Sequence, residues 1–251
     1  MAAIFHRDEG SGAPLLLIHG ITEDHRVWDE LAAELARDSR VIRVDLPGHG
    51  RSDPPPRVDA LALAAPVVEL VQELGLEAPR LVGHSLGGLV ATLVGALVPA
   101  RSVVNVDQPL RLGAFIARVR AIASELRGPR FVDTLNAELD ALAGPRLPER
   151  VRSELCGYRV EARREIVLGL WLPLVDASEE SLAAGFAPLL RQLRAPYLSL
   201  HGDDPGPGYA AWLRQLVPSA EVEVWPGLGH WLHRVEPQRF LARVREFHRA
   251  S

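Results

Sequence analysis

Short apolar runs alternate with helical patterns over much of this chain. The apolar runs cover residues 15–18, 41–46, 81–82 leading into Gly83, 102–106, 196–200 and 221–225. Most are brief, contain β-branched residues and are flanked by turn formers such as Pro14 and Pro47-Gly48. That is the pattern of strands buried on both faces of a sheet. Between them, residues 27–37 put Trp28, Leu31, Ala32 and Leu35 on one stripe, and 59–74, 86–97, 208–216 and 237–249 read as further helices. Strand and helix alternating in this way predict an α/β fold, a mostly parallel central sheet flanked by helices.

The alternation stops between residues 108 and 195. This stretch has no convincing strand and reads as about four or five amphipathic helices, separated by Gly128-Pro129, Gly144-Pro145, Pro148 and Pro173. The chain therefore divides into a core made of residues 1–109 and 190–251 and a helical insertion, 110–189, placed between strands. An insertion that follows a strand emerges near the strand carboxyl ends, where ligands bind in open α/β sheets. The expected role is a cap over a site; the plainer alternative is extra packing helices.

Composition narrows the function. With 251 residues, 47% hydrophobic and 24% charged, the chain has the makeup of an ordinary globular domain with a sizeable core. Its net charge of -4 provides no bulk attraction for nucleic acid or an anionic membrane. All 28 basic residues are arginine, so a Schiff-base or phosphate-cradling lysine is excluded. Cys156 is the only cysteine, which rules out an intrachain disulfide and a multi-thiolate metal site. The first ten residues carry charges and lack a secretory pattern, and the longest apolar run, 89–98, is too short to span a bilayer. A cytoplasmic enzyme is expected. Nucleotide-binding glycine patterns are absent, no cofactor or metal is called for, and no sustained heptad speaks to oligomeric state.

The sharpest chemical feature is Gly83-His84-Ser85-Leu86-Gly87-Gly88, which ends a strand and opens a helix. A serine at such a turn is held in a strained backbone conformation with its hydroxyl above the sheet edge. Crowding there demands small residues two places before and after, and Gly83 and Gly87 supply them. The helix beginning at Leu86 turns its positive end toward the same point, and the Leu86 amide is a candidate donor to an oxyanion.

Several separated motifs then occur in order: His19-Gly20 after the first strong strand, Asp45-Leu46-Pro47-Gly48-His49-Gly50-Arg51-Ser52, the turn at Ser85, the helical insertion, and Gly227-Leu228-Gly229-His230. In this the chain resembles the cap-bearing serine esterases of the α/β-hydrolase fold. The resemblance spans nearly the whole chain and implies Ser85 as nucleophile and His230 as general base. It also implies the Ile21 amide as second oxyanion donor, His19 as orienter of the oxyanion loop, and His84 and His49 as structural positions.

The acid is less plain. The family usually places it after the strand that follows the cap, in a pattern like Gly-x-x-Asp. Here the sequence is His201-Gly202-Asp203-Asp204-Pro205, one residue short. Asp204 is favoured. Asp107, at the end of the strand after the elbow helix, is the alternative, with Asp203 third; whichever are not used read as turn-capping carboxylates. His233 is a weaker base candidate, and His230 with His233 lacks the further ligands of a metal site. His201 is a candidate to line the site, while His6, His25 and His248 read as surface or packing residues. His19, His84, Trp171 and Trp231 are candidate substrate contacts. Apolar insertion residues such as Leu112, Phe115, Trp171 and Phe186 suggest a small to medium ester with a largely apolar part. The same triad could serve a lactone, a thioester or a carbon–carbon bond, and a ligand-sensing protein with little catalysis is a different class.

Overall fold

The computed structural model describes residues 3–250. The chain runs β1 (His6–Gly10), β2 (Ala13–Ile18), a 3-10 turn (His25–Trp28), α1 (Asp29–Leu35), β3 (Ser39–Val44), α2 (Ala60–Glu73), β4 (Arg80–His84), α3 (Leu86–Leu97) and β5 (Ser102–Val106). Six helices follow: α4 (Gly113–Arg127), α5 (Phe131–Leu142), α6 (Glu149–Glu161), α7 (Arg164–Trp171), α8 (Pro173–Asp176) and α9 (Glu179–Leu190). The chain then returns as β6 (Tyr197–His201), α10 (Tyr209–Leu216), β7 (Ala220–Val224), α11 (Leu232–Val235) and α12 (Pro237–Ala250).

The strands form one seven-stranded sheet in the order β1-β3-β2-β4-β5-β6-β7. All pairings are parallel except that of β1 with β3. In the register, Leu16 of β2 pairs with Ile42 on one side and Leu81 on the other, so β2 lies inside the sheet. Leu15, Leu16, Leu17 and Ile18 are all fully buried, as are Leu81, Val82, Val103 and Val104. These runs do not alternate because both faces of the sheet are covered. Each such side chain contributes about 1.5–3 kcal/mol on burial. The helices supply the cover: α12 buries Phe240, Leu241, Val244 and Phe247, and α2 begins where Asp59 accepts a hydrogen bond from the Ala62 amide.

Strand β1 carries no apolar signal. Its sequence, His-Arg-Asp-Glu-Gly, is largely exposed, and it holds its place at the sheet edge through main-chain pairing to β3 and the ion pairs of Asp8 with Arg40 and Glu9 with Arg43. A charged edge strand is protected against pairing with other chains, and the same charges hide it from hydrophobic periodicity. Between β5 and β6 every element among the described residues is helical, as expected. The helices number more than expected, because Pro173 opens the short α8 instead of merely separating two others, and α9 accommodates Pro188. This stretch is tied to the end of the chain by ion pairs from Arg234 to Glu154 at 2.6 Å and from Arg146 to Glu236 at 2.5 Å. Among the described residues, no helix is long and apolar enough to cross a membrane.

Burial of His248 against the start of the sheet pushes its pKa down to about 3, with the Arg80 charge acting in the same direction. A folded-state pKa below the free value of 6.5 means that protons bind the unfolded chain better. This contribution to stability is complete above about pH 6.5 and is lost as pH falls toward 3. His248→Leu is expected to make the acid fall in unfolding free energy shallower by up to about 1.4 kcal/mol per pH unit. Urea denaturation between pH 7 and 5 measures this, and an unchanged slope would refute it.

Candidate active site

The loops that leave the carboxyl ends of β2, β4, β5, β6 and β7 are linked to one another around the elbow that carries Ser85. Ser85 has φ 52° and ψ -125° at the start of α3. Positive φ is costly for a residue with a side chain and persists only where the surroundings enforce it. Here the enforcement is backbone against backbone. A Cβ on Gly83 would sit 1.9 Å from the Gly87 carbonyl oxygen, and one on Gly87 would sit 2.2 Å from that of Ile18. The Ser85 amide donates to the Val106 carbonyl at 2.8 Å, tying the elbow to the end of β5. Ser85 remains partly exposed. Among the described residues, neither the Leu86 amide nor the Ile21 amide donates to a protein acceptor.

The histidine is held from three sides. Its Nδ1 lies 2.6 Å from Asp107 Oδ2. Its amide donates to the Leu142 carbonyl at 2.9 Å, and its carbonyl accepts from His84 Nε2 at 3.0 Å. A carboxylate at Nδ1 places the proton there and leaves Nε2 as the basic nitrogen. Asp107 also has positive φ, 55°, and its Oδ1 accepts the Gly202 amide at 2.8 Å. Burial alone raises the Asp107 carboxyl, but the hydrogen bond and charge of His230, the Gly202 amide and the charge of His201 outweigh it, leaving the pKa below the usual value.

The carboxylate beside His230 is thus Asp107, the alternative, and not the favoured Asp204. Asp204 is exposed and spends its Oδ1 on the Gly206 amide at 2.9 Å, a turn contact; Asp203 is exposed as well. The loop after β6 is one residue short, and its Gly202 instead serves as a donor to the carboxylate that ends β5. His201 is buried, with Nε2 2.7 Å from Ser199 Oγ and Nδ1 3.8 Å from Asp107 Oδ1, so it flanks the acid.

The four expected substrate contacts are all buried, and the polar atoms of three of them are occupied. His19 Nε2 accepts from the Leu46 amide at 2.9 Å, which leaves Nδ1 as the donor to the Gly20 carbonyl at 2.7 Å. His84 uses both ring nitrogens, on Glu23 and on the His230 carbonyl. Trp231 donates to Glu23 Oε1 at 2.6 Å. Trp171 packs edge-on against Phe115. His233 packs between His84 and Trp28, with ring centroids 4.5 and 4.9 Å away, and burial drives its pKa well down.

One acidic residue of the site escaped sequence reading. Glu23 is 3% exposed and accepts hydrogen bonds within its own turn and from two other loops. In the sequence Thr22-Glu23-Asp24 looks like a solvated loop, and nothing local separates it from one. A second acidic cluster, Asp24, His25 and Asp45, has metal-like spacing. Its oxygens are already engaged: Asp45 accepts from the His25 amide and ring and the Arg51 amide, and Asp24 accepts from Arg26. It serves as a clamp on the loop.

The sequence matches the model of the alpha/beta hydrolase family over residues 15–243. The chain belongs to that family. It is also 30% identical to 2-(acetamidomethylene)succinate hydrolase of Mesorhizobium japonicum, over 96% of this chain and 90% of that one. It is 28% identical to the pimeloyl-[acyl-carrier protein] methyl ester esterase of Nitrosospira multiformis, with 96% of each covered. Among solved structures, an esterase from Rhodococcus superposes with a TM-score of 0.81 at 29% identity, covering 98% of this chain and 94% of that one.

Gly83→Ala is expected to destabilise this hydrolase by about 3 kcal/mol or more, because the clash is with backbone that cannot rotate away. Guanidinium unfolding reads the effect; a loss under about 1 kcal/mol would show that the elbow can relax.

Proposed function

We propose that this hydrolase cleaves a carboxylic ester of small to medium size through an acyl-enzyme on Ser85. The observation that carries the reading is the 2.6 Å contact of Asp107 with His230 Nδ1, on the same loop cluster as a serine held at positive φ. In the proposed reaction, His230 Nε2 takes the Ser85 proton as Oγ attacks the acyl carbonyl. The Leu86 and Ile21 amides hold the tetrahedral oxyanion. His230 then protonates the departing alcohol, and water activated by the same nitrogen releases the acid. Asp107 fixes the tautomer and stabilises the imidazolium as it forms.

Ester specificity is supported by the family and by the esterases among the relatives. An apolar part of the substrate is supported by the apolar side chains of Leu89, Pro109, Leu110, Leu112, Phe186 and Leu190, which gather beside Gln108. Leu89 lies one turn of α3 beyond Ser85, and Gln108 follows Asp107. In this reading residues 110–189 act as the cap: α5 ends against the histidine loop, and α9 contributes Phe186 and Leu190 to the apolar cluster.

A fluorophosphonate should add once, to Ser85, as read by intact mass and peptide mapping, and His230→Ala should abolish the adduct. Folded protein that takes no label would end the hydrolase reading and bring ligand sensing forward. Asp107→Asn should lower kcat on a short-chain aryl ester by about a thousandfold or more, while Asp204→Asn should stay within about threefold of the parent. The reverse ranking would return the acid to the loop after β6.

A further inference from the structure

Glu23 has no place in the proposed chemistry, yet its carboxylate is the hub of the loops that carry it. Oε2 accepts the Gly20 amide at 2.7 Å and lies 3.2 Å from His84 Nδ1. Oε1 accepts the indole N–H of Trp231 at 2.6 Å. These donors sit on three separate loops, and each adjoins one of the proposed working groups. Gly20 precedes Ile21, His84 precedes Ser85, and Trp231 follows His230. The far nitrogen of His84 reaches the His230 carbonyl at 3.0 Å, which closes a ring of contacts around the site.

Thr22 adds a second observation. It is a β-branched residue held at φ 68°, a conformation such residues rarely adopt. The turn containing it is closed by the Glu23 amide to the Gly20 carbonyl at 3.3 Å and by the Glu23 side chain folding back onto the Gly20 amide. Burying a carboxylate is costly unless hydrogen bonds compensate it. A residue needed only to fill this volume would be apolar.

We propose that Glu23 is a positioning residue, whose single carboxylate holds the oxyanion loop, the elbow and the histidine loop in register. This rests on the Ser85–His230 reading of the site. Glu23→Gln keeps the shape but replaces one acceptor oxygen with an NH2 group that must face an N–H donor. At least one loop is thereby released. Small misplacements of reacting groups cost rate more than affinity.

The test measures Glu23→Gln by thermal unfolding, by kcat and KM on a short-chain aryl ester, by the rate of fluorophosphonate addition to Ser85, and by the indole N–H resonance of Trp231, assigned with Trp231→Phe. The expected result is a folded variant with kcat lowered about a hundredfold, KM within about threefold, labelling slowed in step, and the indole resonance shifted upfield. A folded variant that keeps kcat within about threefold would overturn the proposal. Should Glu23→Gln fail to fold, Trp231→Phe removes a single donor and is expected to lower kcat about tenfold at unchanged KM; full activity there would overturn it too. If the wild type neither labels nor turns over ester, the hydrolase reading falls, and the indole resonance alone decides: no shift in Glu23→Gln means that the carboxylate does not anchor the histidine loop, which overturns the proposal.

Discussion

At the elbow, main chain packs directly on main chain. Gly83 lies against Gly87, and Gly87 against the end of β2, with no room for a Cβ at either place. That contact forces Ser85 into positive φ and lifts it above the sheet edge, and it brings β2 and the start of α3 close enough to share one site. The proposed oxyanion amides lie at the start of α3, for Leu86, and in the turn that follows β2, for Ile21. In this reading their separation is set by that backbone contact together with the Glu23 carboxylate that holds the turn, an arrangement that lets donors act without reorganising during reaction.

Around this core the loops are stitched edge to edge. Ser85 bonds to the end of β5, Asp107 to the end of β6, and Gly202 back to the Asp107 carboxylate. The histidine loop comes from farthest away in the sequence and is gripped from both sides. His84 of the elbow holds its carbonyl, and Leu142 of the helical insertion holds its amide. This helical stretch thus touches the histidine loop directly. Its α5 end lies against Gly229, where a Cβ would meet the Ala143 carbonyl oxygen at 2.6 Å. A shift of the insertion would be felt at the proposed base through this contact.

Burial and charge are arranged asymmetrically. The buried Glu23 and the half-buried Asp107 are carboxylates kept ionised by several donors each, whereas burial pushes His233, His19 and His201 toward the neutral form. The site therefore concentrates negative charge on two residues. One of them orients His230. The other is placed under the loops that surround it.

The alternation of apolar runs with amphipathic stripes was enough to read the sheet core and most of its helices, because burial on both faces leaves a continuous apolar mark in each central strand. The serine and its two glycines were legible for a similar reason: a local steric demand leaves a local pattern. Strand β1 left no such mark, since an edge strand is held by main-chain pairing that any side chain permits. The partner of His230 was not legible either. Asp107, Asp203 and Asp204 all end or follow a strand, and only the convergence of β5, β6 and β7 determines which carboxylate meets the imidazole. Glu23 is the extreme case. Its three donors come from Gly20, His84 and Trp231, and its burial is created by loops that a linear reading cannot bring together. Sequence determines what depends on neighbours along the chain; tertiary structure decided what depends on neighbours across it.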